Sequence, residues 1–150
     1  MNHAPLPGSV LFACTMNAVR SPMAEGLMKH YFGNRVYVDS VDVRPIETDP
    51  FAIAVMAEIG IDISKHKPKA FDQLDDSSFD IVISLSPEAQ HSAVEMTRTM
   101  SCEIEFWHTF DATVIQGKRD QVLASYREVR DFLQAKILNR FGEPTLAGRE

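Results

Sequence analysis

Four short runs of β-type residues, "SVLFAC" (9 to 14), "RVYVDS" (35 to 40), "FDIVISL" (79 to 85) and "CEIEFW" (102 to 107), alternate along the chain with stretches of helical spacing. Strands separated by helices pair in parallel through right-handed crossovers, so the alternation predicts an α/β three-layer sandwich around a four-stranded parallel sheet. The helical stretches carry their own boundary signals. Ala24, Leu27, Met28 and Tyr31 share one face of a helix that Gly33 can end. Asp49 before Pro50 reads as a cap and first helical position, with Gly60 closing that helix, and Ser86 before Pro87 repeats the start signal. Val122, Tyr126, Val129, Leu133 and Ile137 mark a long last helix that ends near Gly142, and a short helix is expected around Phe71 to Leu74. The 150 residues suit a single domain over 1–150, with 1–8 as a flexible lead-in and 143–150 as a tail.

Composition limits the classes of partner. The formal net charge of −6 makes the surface as a whole repel nucleic acid and anionic membranes, so neither is expected as a partner and any anion site must be local. "MNHAPLPGS" is too polar and proline-rich for a signal peptide, and no segment is apolar over a bilayer's length, which predicts a cytoplasmic protein. Cys14 and Cys102 match no metal-ligand spacing and fall on different elements, so no structural disulfide is expected. His91 and His108 have no metal-spaced partners, and His66 between lysines reads as solvated. Neither a metal nor a cofactor is expected. Trp107 and Cys102 read as core residues.

The stretch with chemical content is "CTMNAVRS", residues 14 to 21, at the exit of the first strand. In parallel α/β sheets, ligands bind beyond the carboxyl ends of the strands. If Thr15, Met16, Asn17, Ala18, Val19, Arg20 and Ser21 form a tight loop feeding a helix that begins near Pro22, their backbone N–H groups converge on one point. Arg20 adds a planar fork suited to a tetrahedral oxyanion. A cysteine on the floor of that nest would be held as thiolate and would act as nucleophile. The plain alternative is a buried packing cysteine, since Cys and Arg at this spacing also occur by chance.

Beyond the loop, "VLFACTMNAVRSPMAEG", "DPFAIAVMAEIGIDISKHKPK", "FDIVISL" and "WHTFDAT" follow one another in an order that resembles the low-molecular-weight protein tyrosine phosphatases and the related arsenate reductases. The resemblance implies the flavodoxin-like topology of that family and a phosphocysteine mechanism. In that mechanism Cys14 attacks phosphorus, Arg20 and the loop amides hold the phosphoryl oxygens, and Asp111 protonates the leaving oxygen. It further implies that the Ser21 hydroxyl donates to the thiolate and that Asn17 braces the loop. For Asp111 the alternative is a turn or cap carboxylate.

Several positions depart from the family pattern. Met16 stands where the family has glycine, Val19 replaces its second cysteine, and Ala112 replaces the proline after the acid. Val41, Asp42 and Val43 stand where the family often reads Ala-Gly-Thr. The leading expectation is a phosphomonoester hydrolase acting on a phosphorylated protein or a small phosphomonoester. Arsenate reduction with an external thiol, or a catalytically weak phosphate-sensing or partner-binding protein on the same scaffold, are the alternatives.

Overall fold

The structure, a computed structural model, describes residues 6–15, 19–74, 78–98 and 101–142. Strands β1 (Ser9–Cys14), β2 (Tyr37–Asp42), β3 (Ile81–Ser84) and β4 (Glu103–Phe106) form one sheet in the order β2-β1-β3-β4, with every pairing parallel. Helices α1 (Arg20–Phe32), α2 (Pro50–Ala57), α3 (Pro87–Met96) and α4 (Arg119–Phe141) supply the outer layers. Short 3-10 turns occupy Phe71–Gln73 and Ala112–Val114.

The pleat of β1 sorts its residues between two cores. Val10, Phe12 and Cys14 point into the larger one, where Leu27 and Met28 of α1 meet Val129, Leu133 and Ile137 of α4. Leu11 and Ala13 point the other way, against Ala89 and Ala93 of α3. Trp107 joins the larger core and Cys102 packs at the margin of the smaller. β1 is central and buried, so it reads as a continuous apolar run.

Local signals set the helix ends. Asp49 caps α2 by accepting from the Phe51 N–H, with Pro50 in the first position, and Ser86 caps α3 by accepting from the Ala89 N–H. Gly60 leaves α2 at φ 79°, a conformation that favours glycine. Gly26, inside α1, is needed for a different reason, since a Cβ there would lie 2.7 Å from Ile63 Cγ2.

Several boundaries move from their expected places. α1 begins at Arg20 rather than near Pro22, its first turn closed by the Met23 N–H to the Val19 carbonyl. Gly33 ends that helix with φ −62°, in right-handed rather than left-handed conformation. β2 lies two residues later than 35–40, because Arg35 and Val36 still donate to the Phe32 carbonyl at the end of α1. At its other end, Asp39, Ser40, Val41 and Asp42 continue the ladder with β1. Residues 6–8 of the expected flexible lead-in are tied down: Leu6 packs on the larger core, and Gly8 donates to Asp80 Oδ2 at 2.7 Å.

Candidate active site

Parallel pairing brings the carboxyl ends of β1, β2 and β3 to one edge, with Cys14 opposite Asp42 and Ala13 opposite Ser84. The chain leaves β1 toward β2 on one side and later returns to β3 on the other, so Cys14 sits at the topological switch point. Cys14 is fully buried. Arg20 and Ser21 open α1 and are both buried, with the Ser21 hydroxyl beside the thiol. Met16, Asn17 and Ala18, and with them the Asn17 brace and the centre of the expected nest, lie outside the described residues.

The thiol is held differently from expectation. Cys14 Sγ donates to Asp42 Oδ1 at 2.9 Å and lies 3.1 Å from Ser21 Oγ, while Ser21 Oγ donates to the same Asp42 oxygen at 2.8 Å. Burial pushes the Cys14 thiol well above its ordinary range, and the charge and hydrogen bond of Asp42 push it further. This setting disfavours the thiolate that the sequence predicts. The Ser21 hydroxyl is turned to a carboxylate rather than to sulfur.

Asp42 is the residue the sequence reading did not assign to the site. Burial raises its carboxyl above the usual range, against the opposing hydrogen bonds from Cys14 and Ser21 and the charges of His66 and Arg20. Its Oδ2 is buried with no partner among the described residues. The signal was present in the period of two, since a residue paired with Cys14 across parallel strands must share its face. Placing the second strand at 35–40 left Asp42 outside it.

Arg20 crosses to the loop after β4, where Nη1 donates to the Thr109 carbonyl at 3.0 Å, and its Nε is buried without a partner among the described residues. Thr109 is itself fixed by its N–H to the Leu85 carbonyl. Two residues further, Asp111 Oδ1 accepts from the Thr113 N–H at 3.0 Å and from Thr113 Oγ1 at 2.6 Å, capping the 3-10 turn. The same carboxylate is close enough to Tyr126 to help raise its phenol, behind the larger effects of burial and of Asp49, which accepts the phenolic hydrogen bond at 2.8 Å. The loop start is fastened to α3: Thr15 Oγ1 donates to Ser86 Oγ at 2.7 Å. Val19 is wholly buried.

Behind the site, Glu25 of α1 accepts from Ser40 Oγ and Lys29 Nζ, with His66 Nδ1 at 3.3 Å. Burial would raise the Glu25 carboxyl, but the hydrogen bonds from His66, Lys29 and Ser40 outweigh it and hold it at about 2. His66 is thus a largely covered partner of Glu25 and not a solvated residue. Among the described residues no group of three or more His, Cys, Asp or Glu side chains is placed to hold a metal. No helix among them is long and apolar enough to cross a membrane.

The fold recurs among solved structures. An arsenate reductase in its phosphate-binding state superposes with a TM-score of 0.69 over 89% of this chain and 95% of its own, at 28% identity. A tyrosine phosphatase of Erwinia amylovora superposes with a TM-score of 0.72 over 91% of each chain at 16% identity, a likeness of fold alone. In sequence, the chain is 34% identical over 129 residues to an arsenate reductase of Halalkalibacterium halodurans, covering 85% of this chain and 91% of that protein. An arsenate reductase of Bacillus subtilis is 32% identical over 140 residues, covering 93% and 96%. Residues 9–137 match the low molecular weight phosphotyrosine protein phosphatases, and the chain belongs to that family.

Proposed function

We propose that the protein hydrolyses phosphomonoesters through a phosphocysteine intermediate. Cys14 is the nucleophile, Arg20 and the backbone of the loop through Ser21 bind the phosphoryl group, and Asp111 is the general acid. The observation that carries this reading is a buried cysteine at a strand exit followed by a buried arginine at the start of the next helix, one of whose donors has no partner among the described residues. In-line attack breaks the ester P–O bond as the S–P bond forms; Asp111 gives its proton to the departing oxygen and then takes one from the water that releases phosphate. The reading is tested by turnover of an activated aryl phosphate in the wild type, Cys14→Ser and Asp111→Asn proteins. Wild-type turnover lost in Cys14→Ser supports it, and turnover surviving that substitution overturns it.

Arsenate reduction is favoured as a second activity by the names of the relatives. It needs two electrons, which thiols supply in forming a disulfide while As(V) becomes As(III). The sequence has two cysteines, and Cys102 precedes β4 at the far end of the sheet from Cys14. That is a separation of roughly 16 Å along the strands alone, against about 7 Å for the longest Cα span a disulfide bridges. The second thiol would therefore come from an external molecule.

A further inference from the structure

The carboxylate of Asp42 shares a face with the nucleophile, is buried, and accepts from both groups that a thiolate would use, the Cys14 proton and the Ser21 hydroxyl. A fixed negative charge at that point opposes an arriving oxyanion and opposes ionisation of Cys14. Resting on the reading of this loop as a phosphoryl site, we propose that the working form of Asp42 is its neutral carboxylic acid, so that the site binds an oxyanion together with one proton. The ligand class is thus a tetrahedral oxyanion plus a proton. The second carboxylate oxygen, Oδ2, buried without a partner among the described residues, gives that proton a place. With Asp42 neutral, Ser21 Oγ–H is released to turn toward sulfur.

The proton can come from solvent or from Cys14 itself. In the second case the S–H bond breaks, an O–H bond forms on Asp42, and the negative charge moves to sulfur, where attack requires it. When the phosphorylated cysteine is hydrolysed, the proton returns to Sγ. The groups facing Asp42 are Cys14 from β1, Arg20 and Ser21 from α1, and His66 from the segment after α2; Lys69 from that same segment offers only its carbonyl, to the Asp42 N–H. Cys14 and His66 also carry exchangeable protons. A test therefore has to hold both constant.

Replacing Cys14 by Ser removes the thiol titration, and sulfate keeps its charge across the range of interest. Sulfate binding is measured by calorimetry between pH 5 and 8, in buffers of different ionisation enthalpy, for Cys14→Ser and for Cys14→Ser with Asp42→Asn. His66 is the same in both proteins. The expected result is that Cys14→Ser takes up close to one proton per sulfate at the alkaline end, its affinity falling there by about tenfold per pH unit. The Asp42→Asn protein should lack that uptake and bind sulfate more tightly at pH 8. Equal proton uptake in the two proteins, or none in either, overturns the role of Asp42 while leaving the anion site standing. Absence of sulfate binding in both at every pH overturns the phosphoryl-site reading and this inference with it. If Asp42→Asn does not fold in this background, Asp42→Ser, which also lacks the charge, is measured in its place.

Discussion

Cys14 and Asp42 lie opposite one another in the β1–β2 ladder, and the thiol donates to the carboxylate. Cys14→Ser is expected to abolish turnover and to preserve both fold and oxyanion binding, because in the proposed site backbone amides and Arg20, and not sulfur, hold the anion. Arg20→Lys should also fail in turnover, since an ammonium cannot reproduce the planar fork. Asp42 carries a prediction about stability. Its folded carboxyl titrates above the ordinary value of 3.8, so the folded state holds the proton more tightly and stability falls as pH rises through that interval. Asp42→Asn should accordingly raise the thermal midpoint at pH 8, with the gain shrinking as pH is lowered toward 4. A gain independent of pH would show that the carboxylate is not titrating there. Cys14, Arg20 and Ser21 were legible in the sequence because the motif is contiguous. Asp42 was not, because its partner is 28 residues away and only the strand register brings them together.

At the scale of elements, the segment from β4 to α4 carries Asp111 and is fastened to the site through Thr109 and Arg20. Asp111→Asn keeps an oxygen to accept from the Thr113 N–H, so the cap survives while the acid is lost. Turnover of aryl phosphates with poor leaving groups should drop on the order of 10²–10⁴-fold, and far less for good ones. Equal slowing across the series would mean that Asp111 only caps its turn. α1 is tied to β2 and to the segment after α2 through Glu25. That carboxyl titrates at about 2 in the fold against 4.5 ordinarily, a stabilisation on the order of 3 kcal/mol. It is present above pH 4.5 and lost as pH falls toward 2. Glu25→Gln should thus lower the thermal midpoint at pH 7, with a gap that closes in acid. The role of His66 in this cluster was hidden by its charged neighbours Lys65 and Lys67, which point a sequence reader to solvent. β1 was legible as a continuous apolar run and α4 as an apolar stripe of helical period, whereas β2 was obscured by Asp39, Ser40 and Asp42, polar residues whose partners come from other elements.

For the molecule as a whole, the parallel sheet and its switch point followed from the alternation of strands and helices, and substrate preference follows from what surrounds that point. The stretch after Asp111, "DATVIQG", and the one after β2, "VRPIET", contain no aromatic residue to wall a phenyl ring. Between β4 and α4, Trp107 is buried in the core and Phe110 is half exposed beside Asp111, while Phe51 packs against the Tyr126 ring and the Arg119 guanidinium. Catalysis on small activated phosphates is therefore expected with a high KM, and with little gain in kcat/KM for phosphotyrosine peptides over a plain aryl phosphate. A large advantage for the peptides would mean that Phe110 or other residues build the cleft. The proposed chemistry turns on the covalent step at Cys14. Its most direct measurement is acid quenching of the protein during turnover of an activated aryl phosphate, followed by mass spectrometry of the peptide containing Cys14. One phosphoryl group is expected on that peptide, accumulating in Asp111→Asn, where release is slowed, and absent in Arg20→Lys. Turnover with no label on Cys14, or a phosphoryl group on any other residue, would contradict it.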